Sequence, residues 1–189
     1  MKKLIIILSL SLTLQGCIFV VGAAAGAAAV AVVYDHRKIE YTLQDTRIAN
    51  KISDNLRTVP GIRNDSHIEV TVFNGVVLLT GETPNQEWRQ QAEQIAKTTP
   101  EVDKVYNQIT IQGPTSSLTR TSDSWITTKI RGEMLASKNL QSSSIKVITE
   151  NGSVYLMGIV TKEQADMAVD IARQVSGVQR VVKIFQYQE

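Results

Sequence analysis

The sequence predicts an α+β protein: two tandem αββαβ domains, each a three-stranded mixed sheet packed against two helices. Three observations carry this prediction. Ile68 to Gly81 holds two apolar runs on either side of Asn74-Gly75. That dipeptide accepts positive φ at both central positions of a type I′ turn, so it marks a hairpin. The same stretch returns 77 residues later, at Ile145 to Gly158 around Asn151-Gly152, which means a duplicated unit. A hairpin cannot bury its apolar face alone, and each one is flanked on both sides by apolar residues at helical spacing.

In the first copy, Thr42 to Leu56 reads as a helix with the stripe Ile48, Ile52, Leu56. Pro60-Gly61 is expected to end it. Ile68, Val70 and Val72 alternate with polar residues and predict a half-buried strand. Val76 to Thr80 is the return strand, with Gly81 allowing a sharp exit. Pro84 to Thr99 is the second helix, with Trp88, Ala92, Ile95 and Ala96 at helical spacing and Trp88 in the packing. Val102 to Ile111 is the third strand. A crossover of this length places it parallel to a neighbour.

Gln112 to Ser117 combines Gly, Pro and Ser and reads as a short linker. Ser122 or Asp123 can then cap the next helix, whose stripe is Ile126, Ile130, Met134. Thr161 to Val175 is the second helix of this copy and Val178 to Tyr187 the last strand. The organisation is therefore a leader at 1–16, an Ala/Gly-rich segment at 17–40, domains at 41–112 and 121–189, and a linker at 113–120. Units of about 70 residues are marginal alone, so the two copies are expected to pack together.

The leader has Lys2-Lys3, then the uncharged apolar run Leu4 to Leu14, then Gln15-Gly16-Cys17. This is the pattern of a secretory signal peptide. Cys17 is the single cysteine, so no internal disulfide can form. Ile18 to Val33 is apolar, with Gly22 and Gly26 in GxxxG spacing, but sixteen residues are short for a span. It reads as a membrane-proximal segment, and His36 just beyond it as a solvated linker residue.

Composition excludes several function classes. Glu40 to Pro114 carries 7 basic and 10 acidic residues, Thr115 to Glu189 carries 9 and 7. Neither copy has the strongly basic face of a duplex-DNA binder, and neither has the Gly-x-x-Gly clamp of RNA-binding KH folds. No nucleic acid partner is expected. No nucleophile elbow, Walker loop or dinucleotide fingerprint is present, so no enzyme activity and no cofactor are expected. His67 has no ligand-spaced neighbour, so no metal is expected. Carboxylates such as Glu82 and Glu87 read as solvated.

The hairpin, terminal glycine, Ala-rich helix and Gly-Val-x-x-Val opening of the last strand resemble the BON domain. In the second copy these are Asn151-Gly152, Gly158, Ala168, Ile171-Ala172 and Gly177 to Val181. In the first they are Asn74-Gly75, Gly81, Ala92, Ile95-Ala96 and Val102 through Val105. Glu101 replaces the glycine there, so that turn is expected to be built differently. Lys183 departs from the asparagine that the first copy shows at Asn107. The Gly16-Cys17 junction resembles a bacterial lipobox, although Gln15 departs from its usual small or aliphatic residue. The resemblance implies that Cys17 becomes the acylated N-terminus. Ile18, not Asp, follows it, which by the same resemblance implies the periplasmic face of the outer membrane.

Two BON copies behind a lipobox are similar to the DolP family of outer-membrane lipoproteins. That resemblance implies a non-enzymatic protein supporting outer-membrane integrity. It implies that the second copy binds anionic phospholipids such as phosphatidylglycerol and cardiolipin, and that the protein gathers at division sites and near the β-barrel assembly machinery. The alternative is a periplasmic interaction module that docks this machinery or a peptidoglycan-remodelling complex.

Aligning Ile126 on Ile48 puts Trp125 on Arg47, so Trp125 is an extra large apolar group beside the core stripe. Two roles are open for it. A tryptophan suits the bilayer interface, ring buried and N–H wet, with Lys129 meeting phosphate and Thr128 and Gly132 on the same face. Alternatively it fills a seam between the copies. The family resemblance favours lipid contact by Trp125, Thr128, Lys129 and Gly132.

Overall fold

The computed structural model describes residues 36–188. The leader, Cys17 and the Ile18–Val33 segment lie outside the described residues. Element order is α1 (His36–Arg57), α2 (Pro60–Asp65), β1 (His67–Phe73), β2 (Val76–Thr83), α3 (Gln86–Lys97), β3 (Lys104–Asn107), β4 (Thr110–Ile111), α4 (Ser117–Ala136), a 3₁₀ turn (Ser142–Ser144), β5 (Ile145–Glu150), β6 (Ser153–Val160), α5 (Lys162–Gln174) and β7 (Arg180–Tyr187).

The duplicated hairpins form as the turn chemistry requires. Asn74 and Gly75 have φ of 47° and 72°, Asn151 and Gly152 of 49° and 68°. β1 pairs antiparallel with β2, and β5 with β6. The crossovers then lay β3 and β4 parallel to β2, and β7 parallel to β6. The first domain's third strand is thus in two pieces. Asn107 marks the break: its side chain donates to the Arg89 carbonyl and to Glu93 and accepts from the Ile109 amide, each at 3.0–3.2 Å.

Several sequence expectations are corrected. Pro60 does not simply end α1. It occupies the first turn of α2, where its missing N–H and fixed φ cost nothing. Gly81 is not an exit but sits inside β2 opposite Ile68. A Cβ there would lie 1.9 Å from the His67 carbonyl oxygen, so the glycine permits close strand approach. Gly158 does the same against Ser144. Glu101 does not force a different turn: it adopts φ 68°, the left-handed region that Gly177 occupies at 91°. Ser116, not Ser122 or Asp123, caps α4, accepting from the Thr119 amide. The stretch read as linker is therefore helical from Ser117.

Each domain has its own core. Ile48, Ile52 and Leu56 of α1 and Ala92 and Ala96 of α3 cover one face of the first sheet, meeting Val72, Val77 and Leu79. Trp88 packs against this core with its ring over Gly61, where a Cβ would lie 2.1 Å from it. Ile126, Ile130 and Met134 of α4 and Ala165, Ala168 and Ala172 of α5 cover the second sheet at Val147, Val154 and Leu156. The sheets' opposite faces pack on one another through Val76, Leu78, Tyr155, Met157 and Ile184, flanked by Phe73, Tyr106, Ile148 and Val182. The layers run helices, sheet, sheet, helices. β2 is buried along its whole length because it has core on both sides.

Candidate functional site

The outer surface of α4 stands out among the described residues. Its inner side is fixed by the buried stripe Ile126, Ile130, Met134. The helical repeat puts Leu118, Thr121, Trp125, Thr128, Gly132 and Leu135 on the opposite side, and all six are exposed. Leu118, Trp125 and Leu135 have 79%, 54% and 78% of their surface open to solvent. Three large apolar groups thus share one exposed stripe, with only small or hydroxylic side chains between them. Gly132 faces open space: a Cβ there would meet nothing within 4 Å.

The sequence placed Trp125, Thr128, Lys129 and Gly132 together, and the helix does bring them to one surface. Trp125 takes no part in the inter-sheet seam, whose residues are given above. Thr128 donates its hydroxyl to the Ser124 carbonyl at 2.9 Å. Lys129 pairs with Glu133 one turn on, at 2.9 Å, both about half exposed. Such an exposed helical pair is worth only about 0.3–0.5 kcal/mol. Leu118 and Leu135 were not singled out from the sequence. The signal was there: both lie seven or ten residues from Trp125, on its own helical row.

Beside Leu135 the surface forms a hollow of about 490 Å³, lined by Phe73, Met134, Leu135 and Ile145 together with Arg131 and Lys146. Arg131 donates to the Val147 carbonyl at 3.0 Å, and Lys146 to the Val72 carbonyl at 3.2 Å. Two cations therefore border an apolar depression next to the exposed stripe.

The turn residues are held by two carboxylates, Asp45, which the sequence did not single out, and Asp123, which reads from the sequence as a helix cap. Asp45 accepts from the amides of Asn74 and Gly75 at 2.7 and 3.0 Å. Asp123 accepts from those of Asn151 and Gly152 at 2.8 and 2.9 Å. Each turn asparagine then reaches the far end of the other domain's sheet. Asn74 Nδ2 donates to Gln186 at 2.7 Å, and Asn151 Nδ2 to Glu82 at 2.6 Å. The reading of Glu82 as solvated is overturned, since it has 0% exposure. Glu87 is exposed, as read. No group of three or more His, Cys, Asp or Glu side chains could hold a metal among the described residues, and no described helix is long and apolar enough to cross a membrane.

The BON domain model matches twice, at residues 44–113 and 122–189. A lipoprotein of Haemophilus influenzae, "Outer membrane lipoprotein DolP", is 35% identical over 187 residues, covering 99% of this chain and 96% of its own. This chain is a dual-BON protein of the DolP family. The two BON domains are the two αββαβ units, and the seam between their sheets is internal to the pair. A "21 kDa hemolysin" of Actinobacillus pleuropneumoniae is 33% identical over 81% of this chain and 79% of its own. "Osmotically-inducible protein Y" of Escherichia coli K12 is 28% identical over 76% and 73%.

Proposed function

We propose that this BON protein is a lipid-anchored component of the outer membrane's periplasmic face, and that it supports membrane integrity by seating the outward face of α4 on anionic phospholipid. The observation that carries the reading is the exposed stripe Leu118, Trp125, Leu135 on a helix whose other side is fully committed to the core. Burying one such side chain is worth roughly 1.5–3 kcal/mol. Lys129 lies on the same face and Arg131 lines the hollow beside Leu135, and an exposed cation contributes about 1 kcal/mol near an anionic surface. Lys2-Lys3, the apolar run and Cys17 add an acyl anchor, and stable attachment takes two such signals. The named function of the Haemophilus relative as an outer-membrane lipoprotein points the same way.

The test is sedimentation of a soluble form beginning at His36 with vesicles of phosphatidylglycerol, cardiolipin or phosphatidylcholine. Binding to the first two and not the third is expected. Absence of binding to all three would leave the helix face to a protein partner such as the β-barrel assembly machinery.

A further inference from the structure

At the end of the inter-sheet seam, two carboxyl groups from different domains meet out of water. Glu82 of β2 has 0% exposure and Glu150 of β5 has 9%. Asn151, the residue next to Glu150, bonds directly to Glu82 at 2.6 Å, which brings the two buried carboxyls to the same end of the seam. Glu82 also accepts from the linker amide of Thr115 at 3.4 Å. Oε1 of Glu150 is buried without a partner, and neither carboxyl has an ion pair among the described residues. The surroundings are acidic too: Glu69 of β1 and Asp123 of α4 both act on Glu150. The cation on this side, Arg180 of β7, is engaged at 3.3 Å with the Tyr155 hydroxyl. Two adjacent carboxylates in such a place cannot both stay ionised.

We propose that Glu82 and Glu150 share one proton across the seam and form a latch that holds the two BON domains together and loosens in alkali. With the proton present, Glu150 donates to Glu82 and the pair is a neutral-to-anion hydrogen bond bridging the domains. Without it, two negative charges face one another across the seam. Burial first, and the Glu82 charge second, push Glu150 up to about 8. In undocked domains the same group would be water-exposed and ionise near the ordinary carboxylate value. Docked domains then bind one more proton than undocked ones between roughly pH 4.5 and 8, so docking is strongest on the acid side and is lost as pH rises through that window. The feature is independent of lipid contact, which lies on the opposite side of the second domain's helices.

The test uses the full-length protein in detergent. Amide exchange of the seam strands, corrected for the chemical exchange rate, is followed from pH 5 to 9, together with the carboxyl carbon signal of Glu150. Seam opening should become about tenfold more favourable per pH unit up to pH 8 and level off above it. Glu150→Gln, which keeps a donor but cannot ionise, should make opening independent of pH. A flat wild-type profile, an equal slope in Glu150→Gln, or a Glu150 signal that titrates below pH 5.5 would each overturn the latch.

Discussion

Asp45 and Asp123 are structural equivalents: each carboxylate accepts from the two successive backbone amides of its own domain's turn. The donors are the two residues that must adopt positive φ. Each aspartate thus fixes the turn to the first helix of its domain, and so sets where the sheet lies under that helix.

Asp123→Ala should therefore cost the second domain roughly 3 kcal/mol. Hydrogen bonds to a charged group contribute about 1.5–3 kcal/mol each, and the stranded amides lose their partners as well. Chemical denaturation reads this directly. A change under 1 kcal/mol would mean that water replaces the carboxylate.

Gly152→Val should cost about 1–3 kcal/mol, because a β-branched residue is placed at φ 68°. Its Cβ would also meet the Gln179 side chain at 3.0 Å. Gly75→Val should cost at least as much, since there the Cβ meets the Asp103 carboxylate. An unchanged melting temperature in both variants would rule out strain at these turns.

Glu101→Gly should stabilise the first domain. Glu101 holds φ 68°, which costs a side-chain-bearing residue about 1–2 kcal/mol. Part of the relief is offset by the freer unfolded chain and by loss of the bond from Gln44 to Glu101 at 3.2 Å, leaving a net gain of up to ~1 kcal/mol. A lower melting temperature would show that the Gln44 contact outweighs the strain.

Trp125→Glu should abolish binding of the soluble form to phosphatidylglycerol vesicles with no change in fold, because the buried stripe of α4 is untouched. Leu135→Glu should act in the same direction, and Lys129→Glu should weaken binding and its salt dependence. Binding by both the Trp125 and Leu135 variants equal to that of the unsubstituted protein would remove this face from the lipid reading.

Cys17→Ser should eliminate incorporation of labelled fatty acid and release the protein from the membrane fraction. Persistent labelling of that variant would place the acyl chain elsewhere.

Much of the fold could be read because periodicity and turn chemistry are local. Asn-Gly at 74–75 and 151–152 specified the hairpins, and Ile48-Ile52-Leu56 the buried helix face. What escaped was non-local. Glu82 looks like any surface carboxylate until the second domain's Asn151 is brought to it from 69 positions away. Asp123 looks like a helix cap until the helix is seen to start at Ser117 and the turn to fold back on it. The run Val76-Val77-Leu78-Leu79 did carry a usable signal, because a strand without alternation is covered on both faces. On the candidate site, Trp125 emerged from comparing the copies, whereas Leu118 and Leu135 required the outward side of α4 to be known.

The apolar sheet faces give the duplication a purpose. A single copy would carry a naked hydrophobic sheet and would have to find a second molecule, so its state would depend on how much protein was made. Tandem fusion replaces that encounter with an intramolecular one, at an effective concentration of about millimolar for a short tether. The pair is in effect a dimer whose subunits cannot dilute apart. Fusion has also released the two halves from identity: only one of them needs to carry Trp125, and the other is free to put Arg47 there.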